Sequence, residues 1–110
     1  MSYLSIFIND QLAFEHDLSK SLDANQLAFL DKMDGDMDRG FRISGEMISE
    51  PDAKQKATFV AMNLLRALQQ EDDAKIAVAC AYIGHRLPHV IEVRASDQGD
   101  RIHIEFVEEH

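Results

Sequence analysis

The sequence predicts an α+β fold in which a small antiparallel β-sheet packs on three α-helices. Residues near both ends of the chain alternate between apolar and polar, which is typical of strands with one buried face. The residues between them repeat their apolar positions at helical spacing, with start and stop signals at the ends. The length of 110 residues fits one domain spanning 1–110.

The first strand is predicted from YLSIFI at 3–8, where Leu4, Ile6 and Ile8 alternate with less apolar neighbours. Asn9 and Asp10 suit a tight turn because both residue types tolerate left-handed backbone angles. Residues 11–21 can then return as a second strand or form a short helix. The sequence leaves both alternatives open, so the N-terminal element is a strand or a hairpin.

The first helix is predicted at about 24–39. Asp23 is a suitable N-cap, Gln26 completes a capping-box pair, and Gly40 is a natural stop. The apolar positions recur at helical spacing: Leu27, Leu30, Met33, Met37 and Phe41.

Two further helices follow a polar connector at 41–50. Ser49 is predicted to open the second helix, with Pro51 in its first turn, and the helix runs to about Gln70. The third helix is predicted at about 73–86, since Pro88 prevents its continuation. The short turn between them makes these two helices an antiparallel pair.

The chain ends in a predicted β-hairpin at 90–107, turning at the sequence DQGD. A lone hairpin is not stable, so one face is expected to lie against the helices. The residues predicted on that face are Ile91, Val93, Ile102, Ile104 and Phe106.

The composition excludes several classes of function. The chain carries a formal net charge of −9, and its 11 Lys and Arg residues are scattered, so a nucleic-acid or anionic membrane partner is not expected. No run approaches the roughly 18 apolar residues of a membrane span. The first residues lack the features of a signal peptide, and the single Cys80 sits in an apolar run. These observations predict a cytoplasmic protein with a reduced, buried thiol.

The most distinctive stretch is DKMDGDMDRGF at 31–41. Asp34, Asp36 and Asp38 match the first three acidic positions of an EF-hand calcium loop. Arg39 then stands where the loop requires glycine, and Gly40 comes one residue late. The pattern therefore does not favour a calcium loop.

On a helix, Asp31, Asp34 and Asp38 fall on one narrow face. Three carboxylates on one face could hold Mg²⁺ or Mn²⁺, as in a metal-dependent hydrolase. The favoured interpretation is an acidic rim paired with Arg39, Arg42 or lysines. Arg39 and Arg42 are also the candidates for binding an anion or a carboxylate.

Other catalytic patterns are missing from the sequence. The five histidines lack the spacing of a metal site, no G-x-S-x-G motif occurs, and no glycine-rich phosphate loop follows a strand. The sequence therefore predicts a small cytosolic non-enzymatic domain without a cofactor. It would act through protein contacts, as a homo-oligomer or an accessory factor. The alternative is a metal-dependent hydrolase that uses Asp31, Asp34 and Asp38.

Overall fold

The computed structural model describes residues 3–19, 22–43, 45–99 and 102–108. The predicted α+β class is confirmed, because the structure contains three helices, a four-stranded sheet and a two-stranded sheet. In chain order the elements are β1 (Tyr3–Ile8), β2 (Gln11–Asp17), α1 (Ala24–Asp38), β3 (Phe41–Ile43), β4 (Glu46–Ile48), α2 (Ala53–Gln70), α3 (Asp73–Arg86), β5 (Val90–Asp97) and β6 (Ile102–Glu108).

The larger sheet has the order β2-β1-β5-β6. Strands β1 and β2 form one antiparallel hairpin, β5 and β6 form another, and the inner strands β1 and β5 pair in parallel. The sheet is therefore mixed, whereas the sequence predicted antiparallel pairing throughout. The inner position of β1 follows from its composition, because Leu4 and Ile6 are fully buried while β2 ends in Glu15, His16 and Asp17.

Of the two alternatives for residues 11–21, the strand is the one observed, since β2 spans Gln11–Asp17. Lys20 and Ser21 lie outside the described residues. The turn between β1 and β2 has Asn9 at φ 51° and Asp10 at φ 67°. Positive φ at both residues is typical of the type I′ turn, which joins the strands of a two-residue hairpin. Asn and Asp adopt such angles more readily than other non-glycine residues.

Side-chain caps set the helix starts. In α1, Asp23 accepts a hydrogen bond from the Gln26 N–H at 2.8 Å, and Gln26 Oε1 accepts from the Asp23 N–H at 2.9 Å. The predicted capping box is confirmed. In α2 the same reciprocal pair is Asp52 with Gln55, so the helix begins after Asp52 and not at Ser49. The predicted bounds of α3 are confirmed.

The segment predicted as a polar connector contains the hairpin β3–β4. Phe41 is buried there and stacks on Phe59 of α2, with ring centroids 4.4 Å apart. Gly40 precedes it at φ +95°, and a Cβ at this position would lie 2.8 Å from the Ile48 carbonyl oxygen. The close approach of β4 to the end of α1 therefore requires glycine.

The C-terminal hairpin is confirmed, with Val93 paired to Phe106 and Ala95 to Ile104 on the face toward the helices. Two of its predicted inward residues are wrong. A register shift between Val90 and Glu92 turns Val90 into the core, and leaves Ile91 36% exposed. Ile102 is 46% exposed because it pairs with Asp97 at the end of the ladder. Asp100 of the predicted turn lies outside the described residues.

The core lies between the larger sheet and the helices. Both layers contribute fully buried side chains to it, among them Leu4, Ile6, Val93, Leu64, Cys80 and Ile83. Within the described part of the chain, no helix combines the length and the apolar character needed to cross a membrane.

Candidate functional site

The acidic face predicted on α1 exists, and it lies against the ends of α2 and α3. Asp34 is its centre: Oδ1 accepts a hydrogen bond from the Tyr82 hydroxyl at 2.5 Å, and Oδ2 accepts from Arg86 Nε at 2.9 Å. Arg86 Nη2 also donates to Asp31 Oδ1 at 2.7 Å. One guanidinium therefore joins two of the three predicted carboxylates to α3.

Lys56 of α2 binds the third carboxylate. Its Nζ lies 2.5 Å from Asp38 Oδ1 and 3.8 Å from Asp34 Oδ1. Asp34 and Asp38 are four residues apart on one helix, where like charges repel. The ammonium between them offsets that repulsion. We call Asp31, Asp34 and Asp38, together with Arg86, Tyr82 and Lys56, the α1 anchor.

The anchor bears on the two metal hypotheses. Asp34, Asp36 and Asp38 all belong to α1, and a helix cannot provide the folded-back loop of an EF-hand. Protein cations lie against Asp31, Asp34 and Asp38, where the hydrolase alternative would put a divalent ion. Within the residues the structure describes, no three His, Cys, Asp or Glu side chains group as metal ligands would. The geometry thus supports the acidic-rim interpretation.

The cationic partners differ from those the sequence suggested. Arg39 caps the C-terminus of α1 and Arg42 lies on β3, both exposed, and neither forms a salt bridge within the described residues. The sequence suggested lysines as partners, and Lys56 is one of them. Arg86 and Tyr82 were not predicted as partners. A signal for these two was present, because residues four apart on α3 share a face that can match an acidic stripe. That Arg39 and Arg42 bind an anion or a carboxylate stays a prediction.

Two groups with altered pKa lie in or near the core. Burial raises the pKa of the Cys80 thiol to about 12, and its side chain is fully buried as predicted, so the thiolate nucleophile is not formed near neutral pH. Burial and the hydrogen bond to Asp34 raise the pKa of Tyr82 above its ordinary value. Both groups are therefore neutral and structural.

A second feature, which the sequence did not indicate, is a pair of grooves on the outer side of the helices. The first groove, of about 590 Å³, lies between the N-terminal half of α1, α3 and the end of β2. The second, of about 480 Å³, lies between α1, α2 and α3. Phe29 and Val78 line both, so the grooves meet at these two residues.

Phe29 stands at this meeting point with 49% of its surface exposed. It lies off the apolar stripe that contains Leu27, Leu30 and Met33, which is why it does not enter the core. The groove walls are largely apolar because α3 presents Ala77, Val78 and Ala81 on its outer side. The all-round apolar character of α3 was visible in the sequence, but its use as a groove wall was not.

Comparison with known proteins gives no match, since no family model, curated protein or solved structure is significantly similar to the chain.

Proposed function

We propose that this protein is a small non-enzymatic domain of the cytoplasm that acts through protein contacts, and that its partner docks in the two grooves beside Phe29. The observation that carries the proposal is the exposed Phe29 between two concave apolar surfaces. Aromatic side chains at the centre of a concave patch are typical anchors of protein interfaces.

The outer face of the larger sheet is a weaker candidate for the docking surface. Tyr3 and Leu12 are exposed there, yet Phe7, which pairs with Leu12, is covered by Arg94, whose guanidinium carbon lies 4.3 Å from the ring centroid. A flat face that is already partly covered offers less apolar area to a partner than a groove does.

The chemistry of the described side chains agrees with a binding role. The thiol of Cys80 is buried and neutral, and the carboxylates of the α1 anchor are bound by Arg86 and Lys56. A metal-dependent hydrolase would need these carboxylates to be available to an ion. The proposal therefore assigns the acidic face to stability and the grooves to function.

A photo-crosslinking amino acid tests the docking surface in cells that make the protein. We place it at Phe29 and, as a matched control, at Met47, which is 54% exposed and lies outside both grooves. We expect a covalent protein adduct from position 29 and not from position 47. The substitution Ala77→Arg should abolish the adduct by filling the first groove, without loss of thermal stability, because Ala77 is exposed.

Equal adduct yields from both positions, or an adduct at position 29 that persists with Ala77→Arg, would count against docking in the grooves. The mass of the adduct reports whether the captured protein is a second copy or another chain.

A further inference from the structure

The charges at the two grooves are unequal. Asp17 and Asp23 line the first groove, and among the described residues no Lys or Arg lines it. Arg66 and Lys75 line the second groove, where the described lining includes no Asp or Glu. The surface around Phe29 thus has an acidic arm and a basic arm.

The two cations of the basic arm can form ion pairs with a partner. Arg66 is exposed and forms no salt bridge in the described part of the chain. Lys75 is 71% exposed at its side chain, and its contact with Asp72 is long, at 3.8 Å. Among the described residues, neither cation has a carboxylate partner closer than 3.8 Å.

We propose that the partner in the grooves is a second copy of this chain, related to the first by a two-fold axis that passes beside Phe29 and Val78. This rests on the proposed function, since it names the occupant of the same grooves. A two-fold axis that passes through the meeting point at right angles to the line joining the two arms sets the acidic arm of each copy against the basic arm of the other. The two Phe29 rings meet at the axis, where they are removed from water together.

The net charge explains why the arms matter. Each copy carries a formal net charge of −9, so two copies repel one another overall. A contact between purely acidic surfaces would add to this repulsion. The two-fold arrangement instead forms two opposite-charge contacts, one on each side of the axis, and an apolar centre between them.

Sedimentation equilibrium of the purified full chain tests the proposal. We expect a mass of twice 12.5 kDa that falls toward 12.5 kDa on dilution. Phe29→Glu should weaken self-association by about tenfold or more because it places two like charges at the axis. The control Met47→Glu removes a similarly exposed apolar side chain and should leave the dimer unchanged. Thermal unfolding of each variant confirms that it is folded.

A charge exchange tests the two-fold geometry itself. Arg66→Glu and Asp17→Lys should each weaken the dimer, because each variant alone sets like charges against one another at both contacts. Mixed in equal amounts, the two variants should form a heterodimer in which both contacts again join opposite charges. Asp17 is chosen over Asp23 because Asp23 caps α1. Asp17 Oδ1 accepts a hydrogen bond from the Ser19 N–H at 2.8 Å, so thermal unfolding of Asp17→Lys checks that the loss of this bond leaves the chain folded.

The outcomes separate this inference from the proposed function. A chain that remains monomeric at every concentration overturns the inference, and an adduct between position 29 and another protein then leaves docking in the grooves standing. A dimer that survives Phe29→Glu places the interface elsewhere and also overturns it. A mixture of Arg66→Glu and Asp17→Lys that stays monomeric rejects the two-fold arrangement.

Discussion

Helices α1 and α2 are held to the rest of the molecule by different forces. α2 buries six apolar residues along its 18 positions, namely Ala57, Val60, Ala61, Leu64, Leu65 and Ala67. α1 has 15 residues and buries only Leu30 and Met37. What α1 lacks in apolar contact is supplied by the hydrogen bonds and ion pairs of the α1 anchor.

This difference has a structural consequence. Apolar burial is not directional, whereas the anchor joins named atoms and so fixes where α1 lies relative to α3. The anchor involves Asp31, Asp34 and Asp38, in the C-terminal half of α1. The N-terminal half, which carries Phe29, rests on Leu30 and leaves the grooves open beside it. A helix held in this way can present an apolar side chain to a partner.

The largest expected effect lies in α2. Leu64→Ala removes a fully buried side chain and should lower the free energy of unfolding by about 2–5 kcal/mol, measured by urea denaturation. The comparison in α1 is Leu27→Ala, where the side chain is only half-buried, and about 1 kcal/mol is expected. Equal losses from the two substitutions would contradict the contrast between the helices.

The next effect lies in the α1 anchor. Asp34→Asn removes the charge that receives the Arg86 and Tyr82 hydrogen bonds, and should lower the free energy of unfolding by about 1–2 kcal/mol. The control Asp36→Asn changes an exposed carboxylate on another side of the same helix, and a change within about 0.5 kcal/mol is expected. If both variants unfold at the same urea concentration, the anchor does not hold α1.

Much of the local structure could be predicted from the sequence because its causes are local. Asp23 with Gln26 specifies the start of α1 through backbone donors within one turn, and Asn9 with Asp10 specifies a hairpin through their own backbone angles. The features that the sequence did not predict depend on contacts between residues distant in the chain. Phe41 holds its segment against α2 by stacking on Phe59, and the register shift beside Ile91 is set by pairing with β6.

The candidate site divides in the same way. The face shared by Asp31, Asp34 and Asp38 follows from helical spacing alone, and it is observed. Its partners Arg86 and Lys56 come from other helices, so they depend on how the helices pack. The exposure of Phe29 likewise depends on what α2 and α3 leave uncovered, which spacing along α1 does not reveal.

A smaller effect is expected at His16, which lines the first groove with Asp17 and Asp23. Burial lowers the pKa of His16 below 6.5, and the nearby Asp17 opposes this without cancelling it. Above pH 6.5 the imidazole is neutral in both the folded and the unfolded chain. As the pH falls through 6.5, the unfolded chain takes up the proton first, so stability is lost.

His16→Gln removes this proton uptake while keeping a polar side chain. Thermal unfolding of both proteins across this pH range should show a steeper loss in the wild type below pH 6.5. Every other ionisable group is the same in both proteins, so the difference between the two isolates His16. Parallel curves would show that His16 has the same pKa in the folded and the unfolded chain.

The smallest effect is that of divalent ions, which we expect not to stabilise the protein through α1. Ca²⁺, Mg²⁺ or Mn²⁺ would have to displace Arg86 or Lys56 from Asp31, Asp34 and Asp38. Millimolar concentrations of each ion should therefore shift the thermal midpoint no more than a monovalent salt of matched ionic strength does. The variant Asp34→Asn should respond to the ions as the wild type does. A stabilisation specific to one ion and lost in Asp34→Asn would instead mean that the ion binds the folded chain at these carboxylates. That result would support the hydrolase alternative and contradict the interpretation that the acidic face anchors α1.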